Sequence, residues 1–162
     1  MGCIVRIVFD QFIVDAFENG PFSGNPAAVV PLDAWISDEL MQSIAAENNL
    51  SETAFFVPRG DDYDLRWFTP TLETELCGHA TQASGFVVMN RLAPQKSAVR
   101  FHTRSGALTV TRQGEVFAID LPAQPPAPKT KPDGVGSVTA WTLSVGLCAQ
   151  AQTGAKRSRA AR

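Results

Sequence analysis

"CGHATQASGFVVMNRL", residues Cys77 to Leu92, decides the fold. From Gly78 to Leu92 almost every position is small or apolar, with Ala80, Ala83, Ser84, Gly85, Phe86, Val87, Val88 and Met89 in succession. A helix that is apolar around its whole circumference has no face for water, so this one is expected to be buried on all sides. Such a helix needs strands around it, and the flanking sequence supplies them.

Toward the N-terminus, Ile4 to Phe17 reads as one long strand or two joined ones, and Ala27 to Val30 as another, after a turn at Gly24-Asn25-Pro26. A second helix is expected over about 37–49. Ser37 is its N-cap, Asp38 and Glu39 sit in the first turn, and Leu40, Met41, Ile44 and Ala45 form one apolar face. Thr53 to Val57 and Tyr63 to Phe68 read as strands around the Gly60-Asp61-Asp62 turn. Toward the C-terminus, strands are expected at Ala98–Thr103, Ala107–Arg112 and Glu115–Leu121, with tight turns at Ser105-Gly106 and Gln113-Gly114. Val99 and Phe101 alternate with Arg100 and His102, which implies one buried and one wet face. The expected class is α+β, with short antiparallel strands wrapped around a central helix at about 78–92. No GxGxxG or phosphate-binding loop is present.

The chain has 162 residues, 44% hydrophobic and 19% charged, enough for one domain with a real core. Residues 1–128 carry 8 basic and 15 acidic side chains, whereas 129–162 carry 6 and 1. An acidic body of this kind gives no footprint for nucleic acid. Cys3, Cys77 and Cys148 are odd in number and widely spaced, so they read as free thiols in a reducing compartment. Arg6 and Asp10 interrupt the apolar start, and no run reaches the roughly 18 apolar residues of a membrane span, so a soluble, cytoplasmic protein is expected. The order of the chain is expected to be a domain over 1–122, a proline-rich linker over 123–134, and an irregular basic tail over 135–162.

Three stretches could carry chemistry. Cys77 stands at the mouth of the buried helix, where the dipole lowers a thiol pKa and unpaired N–H groups can hold an anion. Gly78 lets a ligand approach the backbone, and together these features would make a carboxylate-binding pocket with a proton-transfer group at its edge, beside His79. The plainer reading of the same residues is a structural cysteine and a hydrogen-bonded histidine. Glu52 enters a very apolar strand, a setting suited to a general acid or base, or is a solvated loop residue. Asn25 could bind ligand or simply make a turn, and Glu73 and Glu75 read as a solvated pair. Cys77 and His79 have no partner pair at ligand spacing, so no metal is expected.

"VDAFENGPFSGNPAAVV", "IAAENNLSETAFFVP", "LRWFTPTLETELCGHATQAS" and "FHTRSGALTV" resemble, in order and spacing, the N-terminal half of the PhzF family of phenazine biosynthesis-like proteins, over about residues 4–122. The resemblance implies a diaminopimelate epimerase-like fold and a cofactor-independent isomerase or epimerase of a small carboxylated molecule. It places the acid/base residue on Glu52 and substrate contacts on Gly78 and His79, with Ser51 and Asn25 lining the same cleft. Cys77 falls where epimerase relatives carry one of two opposed proton-transfer residues. Family members are about twice as long, and their second domain supplies a further motif that nothing after Leu121 resembles. The chain therefore reads as truncated. It is either an active enzyme completed by another chain, for instance as a homodimer, or an inactive remnant or binding module.

Overall fold

A computed structural model describes residues 8–18, 20, 23–121, 149–150 and 156–161. The elements run β1 (Val8–Ala16), β2 (Asn25–Pro31), α1 (Asp38–Asn48), β3 (Glu52–Arg59), β4 (Asp62–Phe68), β5 (Glu73–Thr74), α2 (Gly78–Val87), β6 (Ala98–Thr103), β7 (Gly106–Gln113), β8 (Val116–Asp120), β9 (Ala149–Gln150) and β10 (Lys156–Ala161). They form one sheet in the order β10-β1-β2-β3-β4-β6-β7-β8-β9, with the short β5 on β4. The linker read at 123–134 lies outside the described residues. Within 135–162, β9 pairs with β8 and β10 with β1.

α2 is buried as its composition requires: every residue from His79 to Val87 is in the interior. It packs against β1, β2, β3, β6, β7 and β8, so the sheet curls around it. Gly85 makes this wrap tight. A Cβ there would lie 2.6 Å from Val110 Cγ1 on β7, so only glycine lets helix and strand approach this closely. The helix was expected to run unbroken to Leu92. Instead it widens after Val87 into a π-helical turn, Val88–Leu92, closed by Ala93 N–H to Val88 O at 2.7 Å. Arg112 accounts for the change, because its guanidinium donates to the Met89 carbonyl and to Asn90 Oδ1, taking up a carbonyl that the α-helical ladder would otherwise have used.

α1 covers the opposite face of the sheet. Ser37 Oγ accepts from Leu40 N–H at 3.3 Å, and the helix stops at Asn49, which takes a left-handed φ of 50° and donates its N–H to Ala45 O. Met41 and Ala45 are buried against Val30, Phe55, Val57 and Phe68, while Val29, Ala54, Phe56 and Trp67 point the other way, toward α2. The centre of the sheet is thus covered on both faces, which is why "TAFFV" (Thr53–Val57) is continuously buried and apolar after Thr53.

Two neighbouring pairs depart from the expected antiparallel pattern: β2/β3 and β4/β6 are parallel. Parallel neighbours need a crossover connection, and α1 and α2 are those crossovers. Among the described residues, no helix is long and apolar enough to cross a membrane.

Candidate active site

Parallel pairing sets the N-terminal ends of β2 and β3 side by side, with Ala27 opposite Glu52, and the mouth of α2 opens beside them. Ser51 Oγ donates to Asn25 Oδ1 at 3.1 Å and lies 3.3 Å from His79 Nε2. Glu52 Oε2 is 3.2 Å from the same nitrogen. On the other side of the ring, Cys77 Sγ is 3.3 Å from His79 Nδ1. Asn25, Ser51, Glu52, Cys77 and His79 therefore form one connected cluster, drawn from three separate stretches of chain. Gly78 stands between Cys77 and His79, and among the described residues a Cβ there would meet only the Leu121 side chain, Cδ1 at 3.4 Å and Cδ2 at 3.9 Å.

The Cys77 thiol does not follow the helix dipole alone. It is pushed up to about 12, first because the side chain is buried and then because the Glu52 carboxylate is near. The backbone N–H groups of Ala80 and His79 act in the expected direction, but burial outweighs them. His79 is held below its ordinary value by the same burial, against the opposing pull of Glu52, so a neutral imidazole sits between a protonated thiol and a carboxyl group. Glu52 Oε2 is buried, and its approach to Nε2 is not aligned as a hydrogen bond, so it has no hydrogen-bond partner among the described residues.

Glu52, Cys77 and His79 each offer a ligand atom within 4.8 Å of the others. The imidazole, however, stands between thiol and carboxylate and turns a different nitrogen to each. Two lone pairs pointing to opposite sides of one ring cannot both meet a single ion. The layout suits passage of a proton better than a cage for a cation.

The segment that delivers Cys77 is clamped. β5 pairs with the end of β4, Trp67 opposite Thr74 and Phe68 opposite Glu73. Glu73 is not solvated: its side chain is only 16% exposed and takes both prongs of Arg66, at 2.7 and 2.9 Å, plus Arg104 at 3.0 Å. Arg66 also reaches Asp38 at 2.8 Å and lies over the rings of Trp35 and Phe68, which ties the start of α1 to the same clamp. Its guanidinium holds the Asp38 carboxyl below the usual carboxylate range. Glu75 is exposed as expected, although Ser105 Oγ holds its carbonyl at 2.8 Å. From the sequence alone, neither Arg66 and Arg104 nor Leu121 was given a place at the site. A lone arginine carries no local signal of its partner, and Leu121 is near Gly78 only once the sheet has curled. A second cleft, lined in part by Val8, Asp10, Leu32, Asp33 and Leu92, shares no residue with the cluster.

This fold, with acid/base groups gathered at the mouth of its central helix, has counterparts among known proteins. The sequence profile of the PhzC-PhzF family, described as phenazine biosynthesis-like protein, matches residues 14–155, further than the motifs ending near residue 122 had implied. The chain belongs to this family. An uncharacterized isomerase of Pseudomonas aeruginosa is 57% identical over 124 residues, which are 76% of this chain and 48% of the relative. The crystal structure of a PhzF-family phenazine biosynthesis protein from Enterococcus faecalis superposes with a TM-score of 0.68 at 45% identity, over 76% of this chain and 49% of that one. A predicted epimerase from Pseudomonas aeruginosa shares the fold at a TM-score of 0.59 and 24% identity, over 68% of this chain and 41% of that one. The chain spans about half the length of the curated relatives it matches.

Proposed function

We propose that this chain carries one wall of a cofactor-independent isomerase or epimerase site that moves a proton at carbon in a small carboxylated metabolite. The observation that carries the reading is the contact of both Glu52 and Cys77 with one neutral imidazole, at a helix mouth that Gly78 leaves open. The N-terminal end of α2 holds the substrate carboxylate, which favours the positive end of the helix dipole. Asn25, Ser51 and His79 orient the substrate. Glu52 exchanges a proton with its carbon, and Cys77 is a further acid/base candidate on the same wall. Stereoinversion takes two opposed groups, so the facing wall comes from elsewhere, and a second copy of this chain is the partner we propose.

Solvent deuterium uptake tests this. The full chain is incubated in D2O with α-amino, α-hydroxy and cyclic unsaturated carboxylates, and exchange at carbon is read by NMR. Enzyme-dependent exchange of at least one of these acids is expected, reduced about 100-fold or more in Glu52→Gln, the usual range for losing a general acid/base. Exchange that survives in Glu52→Gln removes Glu52 from the mechanism. No exchange across the panel, in a preparation that runs as a monomer on size exclusion, overturns the self-completed enzyme.

A further inference from the structure

We infer that Asn48 is a positioning residue for the site: together with Gln11 it clasps the start of β3 from the far face of the sheet and so fixes where Ser51 and Glu52 are presented. The inference deepens the reading of Glu52 as the acid/base group and rests on it. Apolar packing does little to hold the connection from α1 to β3. Asn49 and Ser51 are exposed, and among the described residues Leu50 joins neither hydrophobic cluster. Asn48, the last residue of α1, closes the segment with its side chain instead. Its Nδ2 donates to Thr53 Oγ1 at 3.1 Å, a bond that spans Asn49 to Glu52. The same amide exchanges two hydrogen bonds with Gln11 on β1, Nδ2 to Gln11 Oε1 at 3.0 Å and Gln11 Nε2 to Oδ1 at 2.9 Å.

Side chains alternate along a strand, so Thr53 faces α1 while Glu52 beside it faces α2 and His79. Fixing the Thr53 hydroxyl on one face therefore sets the backbone from which the carboxylate leaves on the other, 3.2 Å from His79 Nε2. Ser51 Oγ, donating to Asn25 Oδ1 at 3.1 Å, steadies the same segment from the site side. Gln11 and Thr53 are 6% and 1% exposed, on a face that also carries Val30, Met41, Ala45 and Phe55. Aliphatic side chains would cover such a face without desolvating two amides. What the amides add is direction, because each N–H and C=O holds its partner in line. Direction matters here, since a displacement of about 1 Å at a reacting group can cost about 100-fold in rate.

The test reads the sign of a shift at His79, because burial lowers the titration of this ring and the Glu52 charge raises it. A carboxylate that swings away leaves His79 lower still, whereas a site that merely loosens admits water and lets it rise. The imidazole 13C signals of the full chain are followed by NMR against pH in the parent, Glu52→Gln, Thr53→Val and Thr53→Ser. Valine keeps the shape of threonine without its hydroxyl and suits a strand, and serine keeps the hydroxyl. His79 is expected to fall in Glu52→Gln, to fall by a smaller step in Thr53→Val, and to stay with the parent in Thr53→Ser. His102, whose Nε2 lies 2.8 Å from Asp62 Oδ2, should keep its signal throughout. A rise or no change of His79 in Thr53→Val overturns the inference. So does an equal fall in Thr53→Ser, a ring that ignores Glu52→Gln, or a His102 that moves together with His79. If Thr53→Val loses its far-UV circular dichroism, Asn48→Leu, similar in size at a half-buried position, replaces it with the same expected fall. The ring titration needs no turnover. It can fail while deuterium uptake still depends on Glu52, or hold where uptake survives Glu52→Gln, so the inference and the reading it rests on fail separately.

Discussion

The Cys77 thiol keeps its proton because two backbone N–H groups, of His79 and Ala80, cannot offset a side chain only 7% exposed and a carboxylate beside it. That balance has a consequence for stability. The folded thiol holds its proton up to about 12, against an ordinary value near 9. Between those limits the unfolded chain has released this proton and the folded chain has not, so the folded state is penalised as pH rises through the window. Stability measured by urea unfolding should therefore fall more steeply from pH 9 toward 12 in the parent than in Cys77→Ala. The slopes should differ by up to about 1.4 kcal/mol per pH unit, one proton's worth. Parallel slopes would mean that Cys77 titrates as an open thiol. The sequence was enough to pick out Cys77, Glu52 and His79 as candidates. It could not show that the helix dipole loses to burial, because the depth of a side chain depends on what the sheet lays over it. Nor could it show His79 as the bridge: Cys77 is two residues away along the chain, whereas Glu52 arrives beside it only through the fold.

Among the elements, α2 and β7 are locked by a contact that tolerates no added atom. Gly85→Ala brings a methyl within 3 Å of three Val110 side-chain atoms. The helix gains an intrinsically better residue, worth at most about 1 kcal/mol, but overpacking costs typically about 1–3 kcal/mol, so net destabilisation is expected. Thermal unfolding of Gly85→Ala, alone and with Val110→Ala, measures this. The double variant should recover part of the loss, and additive losses would rule out the clash. Both helices were legible in advance, α1 from the Ser37 cap and its apolar spacing and α2 from its unbroken small and apolar run. The π-turn at Val88–Leu92 was not, because it answers to Arg112, more than twenty residues downstream. Glu73 was misread for the same reason, since a glutamate ahead of a helix is usually solvated and its arginine partners lie on β4 and in the turn before β7.

Across the whole molecule, and among the described residues, the two helices cover the middle of the sheet on both faces and its margins on one. Amide hydrogen exchange should accordingly be slowest in β2, β3 and the interior of α2, and faster in β7 and β8, where buried and exposed positions alternate. Equal protection across all strands would indicate that the domain opens only as a unit. The α+β class could be expected from a buried helix with strands on either side. The parallel pairs could not, because strand direction depends on how each connection crosses the sheet. The parallel β2/β3 pair has a last consequence, for how this protein can change over generations. Asn25, Ser51 and Glu52 meet because two strands begin together, while the connection between them leaves from the far end at Pro31 and returns through α1. Residues gained or lost around Asp33 and Ala34 are absorbed in that detour without altering the register that aligns the three side chains. Selection can reshape this outer surface while the proton-handling edge stays fixed.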